Sequence, residues 1–148
     1  MKILSKEFND YYYLPNTAGY RLGNKPPSLY LEDVPQNAVS LALVVYDSTV
    51  IYGEKELTYW MVWNLPVTIG EFTNENLPPE AVQGTNDMGT VGYFGPLLAR
   101  GVNHVHFVVF ALSSQLTLDS TAKRNDFDEA VNGNFIDHAD ITGMFLLE

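Results

Sequence analysis

Apolar residues in the first two thirds of the chain gather in short unbroken runs instead of recurring at a helical interval. Leu41-Ala42-Leu43-Val44-Val45-Tyr46 ends at Asp47, and Tyr59-Trp60-Met61-Val62-Trp63 ends at Asn64-Leu65-Pro66. A third run extends from His104 through Phe107-Val108-Val109-Phe110 to Leu112. Runs of this length, rich in β-branched and aromatic residues and bounded by turn formers, predict strands with both faces buried. Leu29-Tyr30-Leu31, before Glu32-Asp33-Val34-Pro35, predicts a shorter strand. Such strands need covering layers, so the expected fold class is mainly β, an antiparallel two-sheet β-sandwich. Its core is expected to contain Leu41, Leu43, Val45, Trp60, Val62, Phe107 and Val109.

The tail has a different period. Between Arg124 and Phe135, the residues Phe127, Ala130, Val131 and Phe135 fall at helical spacing, with Asn125 or Asp126 placed to cap the start and Gly133 to end it. A second short helical turn through Ile136 and Ala139 is expected before Ile141-Thr142-Gly143-Met144-Phe145 extends. The expectation is therefore a sandwich with short C-terminal helices. Long loops join the strands, above all Thr68 to Gly92, and there is no internal repeat.

Composition narrows the classes. The chain has 148 residues, 46% of them hydrophobic and 18% charged, which fits one domain spanning 1–148 with a real core. Its formal net charge of −10 argues against nucleic-acid binding and against stable association with anionic membranes. The absence of cysteine removes disulfides, thiolate metal sites and a cysteine nucleophile. Glu7 comes too early for a signal peptide, and no apolar run approaches the roughly 18 residues of a membrane span. The expectation is a soluble, cytoplasmic protein.

Candidate chemistry is sparse. His104 and His106 share a strand face but supply only two of the ligands a metal needs, and His138 is expected at the surface. Asp47 closes the first core strand, where sites are often built; the plainer reading is a turn-forming Asp before Ser48-Thr49. Tyr93-Phe94-Gly95-Pro96, leading into Leu97-Leu98-Ala99-Arg100-Gly101, is a Gly/Pro loop whose amides suit an anion. It lacks the nucleotide-loop pattern, no GxSxG elbow occurs, and no serine is placed by sequence beside a histidine and an acid.

Taken in order, these segments resemble the phosphatidylethanolamine-binding protein family, in particular its bacterial branch of small single-domain members. The resemblance runs from about Gly23 to Phe145. It rests on Gly23-Asn24-Lys25-Pro26-Pro27-Ser28-Leu29, Val34-Pro35, Ser40 to Asp47, Trp60-Met61-Val62-Trp63-Asn64-Leu65-Pro66, Asn86-Asp87-Met88-Gly89, and Gly92-Tyr93-Phe94-Gly95-Pro96. Gly101 with His104, Phe107 to Leu112, and Ala130 through Phe145 complete it. The resemblance implies a two-sheet sandwich with one small pocket at a sheet edge that takes a phosphoryl or carboxyl group. The pocket positions would fall on Asp47, Tyr59, the Gly95-Pro96-Leu97 loop after Tyr93, and His104, with His106 two residues on. Three departures stand out: Thr49 replaces the family's second Asp, Tyr59 its first pocket His, and Leu98 and Ala99 its loop prolines.

The reading that follows is a non-enzymatic protein binding a small anionic, phosphoryl or carboxylate, ligand that resembles a phospholipid headgroup. In it Asp47, Tyr59 and His104 converge beside Gly95, with no cofactor and no metal. The alternative is a protein-interaction module that inhibits a kinase or protease. A hydrolase using Asp47 and His104 as an acid–base pair is the third.

Overall fold

The computed structural model describes residues 1–148. In chain order it forms β1 (Lys2–Leu4), β2 (Tyr12–Tyr13), β3 (Tyr30–Glu32), β4 (Ser40–Tyr52), β5 (Lys55–Leu65), β6 (Val82–Gln83), β7 (Gly101–Leu112), α1 (Arg124–Asn132) and β8 (Phe135–Leu147). Six strands pair in the order β2-β8-β7-β4-β5-β6, and β1 pairs with β3 in a separate small sheet. β2 runs parallel to β8, while the other pairings are antiparallel. The three apolar runs of the sequence are thus the three central strands β4, β5 and β7.

Both faces of the large sheet are covered, which is why these strands read as continuous apolar runs. On the first face, Leu41, Leu43, Val45, Val105, Phe107, Val109 and Ile141 pack under Phe8, Leu14, Leu29, Phe72 and Phe94. On the second, Ala42, Val44, Met61, Trp63 and Val108 pack against Leu116, Ala122 and the α1 residues Phe127 and Val131. All seven expected core residues have no solvent exposure. The sandwich is lopsided: its smaller sheet has only two strands, and irregular chain from the N-terminal third and the Thr68–Gly92 loop covers most of the first face. Both outermost strands of the large sheet, β2 and β6, are two residues long, so β8 has an outer strand partner only at Gly143 and Met144.

Two expectations for the tail are corrected. The residue before the first turn of α1 is Lys123, not Asn125 or Asp126. Asp126 instead sits three residues in, and its carboxylate accepts the Lys123 backbone N–H at 3.0 Å, meeting a donor the helix leaves free. Gly133 does follow the last helical residue. The second helical turn is absent: Ile136 and Ala139 belong to β8, paired with β7 from Leu112↔Phe135 to Gly101↔Leu147. Helical spacing lost to the ladder that β7 offers along its whole length. The underlying signal was a period of two, since Ala139, Ile141, Gly143 and Phe145 turn to the first face. Gly143 is needed there, because a Cβ would lie 2.3 Å from Leu14 Cδ2. His138 is exposed, as expected, but on a strand.

Candidate functional site

Asp47 is the last residue of β4 with a regular partner on β7, Val105. Cross-strand partners share a face, so the Asp47 carboxylate points into the first core, where it has no solvent exposure. A carboxylate there needs donors. Tyr59, across on β5, donates its phenolic hydrogen to Oδ2 at 2.6 Å, and the Thr49 backbone N–H donates to Oδ1 at 2.9 Å. Burial first, and then the Asp47 charge, pushes the Tyr59 phenol far above its ordinary value, so it stays protonated and remains the donor.

The Gly/Pro loop closes over this pair. The Tyr59 ring meets the Phe94 ring edge-on at 4.9 Å, and the Phe94 N–H donates to the Tyr59 carbonyl at 3.2 Å. Tyr93 donates its hydroxyl to the Ala18 carbonyl at 2.7 Å, and burial raises its pKa far beyond the usual phenol range. Gly95 lies so close to Ala18 that a Cβ would stand 1.7 Å from the Ala18 carbonyl oxygen. Its N–H donates to Asn24 Oδ1 at 2.8 Å, and the Pro96 carbonyl accepts the Tyr20 N–H at 3.2 Å. The expectation that loop amides wait for an anion is therefore corrected. The Gly95 donor is spent inside the protein, Pro96 has none, and of the three only Leu97 reaches the rim. Asp47, Tyr59, Tyr93, Gly95 and Pro96 do come together, but as a closed and internally satisfied cluster.

His104 and His106 do not join them. Val105 lies opposite Asp47, so its two neighbours project from the second face. His106 stacks on Tyr46, centroids 5.0 Å apart, and its ring nitrogens contact Ser48 and Thr142. The β7 residue that does turn toward the Asp47 face at this end is Asn103, almost fully buried. Its Nδ2 donates to the carbonyls of Ala99 at 2.8 Å, Gly101 at 3.2 Å and Phe145 at 3.5 Å, and its Oδ1 is buried without a partner. The position equivalent to the family's strand-opening histidine is thus Asn103. Strand parity carried that signal: Asn103, Val105, Phe107 and Val109 form one alternating series, and His104 falls outside it. No group of three or more His, Asp or Glu side chains is arranged to hold a metal ion.

The Gly/Pro loop instead borders an open cavity on its outer side. About 240 Å³ in volume, it is lined by Arg21, Leu97, Leu98, Arg100, Leu147 and Glu148. Neither Arg21 nor Arg100 takes part in an ion pair, nor do Lys2 and Lys123, whereas Lys6, Lys25, Lys55 and Arg124 all do. The sequence pattern places Arg100 in the Gly/Pro loop without marking it as a candidate, and does not point to Arg21 at all. The two lie far apart in the chain, and Arg21 belongs to no motif.

Fold and site together define a mainly β protein whose central strands end under a Gly/Pro loop, with a buried acid–phenol pair beneath it and a charged rim of Arg21, Arg100 and Glu148 outside. The chain belongs to the phosphatidylethanolamine-binding protein family, whose family model matches residues 4–146. It is 33% identical over 151 residues to a UPF0098 protein of Methanothermobacter thermautotrophicus, covering 98% of each chain. A UPF0098 protein of Pyrococcus abyssi is 33% identical over 129 residues, covering 80% of this chain and 70% of its own length. The crystal structure of Escherichia coli YbcL, described as a new member of the mammalian PEBP family, superposes with a TM-score of 0.92 at 28% identity. That superposition covers 99% of this chain and 98% of YbcL. No helix is long and apolar enough to cross a membrane.

Proposed function

We propose that this protein binds a small anionic group, phosphoryl or carboxylate, in the cavity outside the Gly/Pro loop, without turning it over there. The observation that carries the reading is the pair of arginines free of ion pairs, Arg21 and Arg100, on one cavity of about 240 Å³. Guanidinium forks match carboxylate and phosphate oxygens, and charge-assisted bonds are roughly twice as strong as neutral ones. In a chain of net charge −10, two such cations beside the one acidic side chain on this cavity, Glu148, mark a local exception to a field that repels anions. The cavity is small for a drug-sized molecule and suits a headgroup-sized one. The interior cluster opposes an anion, because Asp47 is itself an acid and no cation pairs with it.

Calorimetric titration with inorganic phosphate, acetate and phosphorylethanolamine tests this. Arg21→Gln and Arg100→Gln should each weaken binding about tenfold, the size of one lost charge-assisted bond. Binding should also fall with added salt. Affinities unchanged in both variants would overturn the reading.

A second reading has its own observation. Tyr12 and Tyr13, on the outermost strand of the large sheet, and Tyr11 just before it are 63%, 54% and 61% exposed. Exposed aromatics of this kind favour a protein partner, a kinase or protease inhibited by contact, and their replacement by Ser would abolish that contact while leaving phosphate binding intact.

A further inference from the structure

The second face of the sheet has its buried apolar cluster where α1 covers it. Beyond the helix, the same face carries Tyr46, Ser48, His106, Asp140 and Thr142 from three adjacent strands. Ser48 Oγ lies 2.7 Å from His106 Nε2, and His106 Nδ1 lies 2.9 Å from Thr142 Oγ1. Ser48 is exposed, Thr142 is buried, and the imidazole between them is partly covered by Tyr46. The serine is held from both sides. Thr49 next to it donates its N–H to Asp47 at 2.9 Å, and Thr49 Oγ1 accepts the His104 backbone N–H at 2.9 Å. Thr142 is fixed in turn by its N–H, which donates to Asp10 at 2.8 Å. A hydroxyl reachable by solvent, an imidazole in hydrogen-bond reach, and a third group orienting that imidazole are the parts of an activated nucleophile.

We propose that Ser48 and His106 form a nucleophile–base pair that accepts the acyl group of small, uncharged, activated carboxylic esters, with Thr142 as a positioning residue. Ser48 Oγ adds to the ester carbonyl carbon while its proton passes to His106 Nε2. The carbon–oxygen bond to the leaving alcohol then breaks, and the alcohol departs with that proton. The resulting ester on Ser48 is cleaved by water through the same sequence, releasing the carboxylic acid and restoring the serine. Uncharged esters are favoured because Asp140 and Glu56 lie around the imidazole and repel anionic ones. Burial lowers the His106 pKa below 6.5, so the ring is a free base at neutral pH. The site shares no residue with the arginine cavity, and the two readings stand or fall separately.

The test uses p-nitrophenyl acetate on the full chain, with nitrophenolate release followed in time and the acetylated peptide identified by mass. Wild type should carry one acetyl group on Ser48. Its release rate should exceed that of Ser48→Ala by about a hundredfold, the lower range of general-base assistance. His106→Gln should fall to nearly the same level as Ser48→Ala. The wild-type rate should rise with pH through a midpoint below 6.5, in a field set by Asp140, His104, Asp47 and Glu56 acting on the ring, with Tyr46 stacked on it and Arg124 over the Tyr46 ring. Thr142→Val should slow acetylation and shift that midpoint, and Thr142→Ser should restore both. Because the chain has no cysteine, Ser48→Cys gives a clean second readout. Its alkylation by iodoacetamide at pH 6.5 should be at least about tenfold faster than in Ser48→Cys/His106→Gln. Equal nitrophenolate release by wild type and Ser48→Ala, acetyl groups on lysines alone, or equal alkylation of the two cysteine variants would each overturn the proposal.

Discussion

Tyr59 donates a hydrogen bond of 2.6 Å to Asp47 in an interior where neither residue is more than 1% exposed. The resemblance places a pocket histidine at position 59; here a phenol that cannot become a cation stands there, buried against Asp47. A buried carboxylate stripped of one donor is costly. Tyr59→Phe should therefore lower unfolding stability by about 2–4 kcal/mol in urea titration, and Asp47→Asn, which keeps an acceptor, by about 1 kcal/mol. Phosphate affinity should be unchanged in both. A loss below about 0.5 kcal/mol in Tyr59→Phe would show that water reaches Asp47.

Tyr59→His separates the closed interior from an open ligand site. An imidazole facing an anion would tighten phosphate binding at pH 5.5 relative to pH 8. In the packed arrangement beside Phe94 it should only reduce stability, by roughly 2–3 kcal/mol for the lost ring volume and hydrogen bond. Calorimetry at the two pH values decides, and tighter binding confined to pH 5.5 would reopen the pocket.

Gly95 meets Ala18 at a distance no side chain tolerates, with a built Cβ at 1.7 Å from backbone oxygen. Neither segment yields easily, since Asn24 holds the Gly95 N–H and Tyr93 holds the Ala18 carbonyl. Gly95→Ala should cost about 3 kcal/mol or more, the range of severe overpacking. A thermal midpoint within about 2 °C of wild type would contradict this close approach.

His106 gives the fold a pH dependence of definite sign. Its pKa is lowered in the folded protein, chiefly by burial, so the unfolded chain takes up the proton first as pH falls. The stability due to the neutral ring is present above 6.5, the unfolded value, and is lost as pH falls through the lower folded one. Melting temperature should drop between pH 7 and pH 5 more steeply in wild type than in His106→Gln. Parallel curves would mean that the ring titrates alike in both states.

The central strands were legible because they are buried on both faces, so that Leu41 through Tyr46 or Tyr59 through Trp63 has no polar alternative. β8 was less so: Phe135, Ile136 and Ala139 satisfy a helical interval as well as a strand, and only the exposed ladder of β7 decides between them. At the site, Asp47 was found because it ends an apolar run, and Tyr59 because the resemblance places a pocket histidine at its position. Arg21 and Arg100 were not, because two cations meeting across loops leave no local pattern. His104 was misplaced for a physical reason, since residue type was followed where parity should have ruled. One step along a strand exchanges the faces of the sheet.

That parity yields the last prediction. If Asn103 is the residue turned toward Asp47, then its Nδ2 bonds to the carbonyls of Ala99, Gly101 and Phe145 tie the end of the Gly/Pro loop to β7 and β8. Asn103→Leu removes those donors and leaves the carbonyls to find others, at about 1–3 kcal/mol. It also frees the stretch that carries Arg100, so phosphate affinity should fall together with stability. His104→Gln alters a side chain on the opposite face, and should change stability by no more than about 0.5 kcal/mol and phosphate affinity not at all. Urea titration and phosphate calorimetry on the two variants, one residue apart, compare the faces directly. A phenotype in His104→Gln with none in Asn103→Leu would reverse the register on which the site rests.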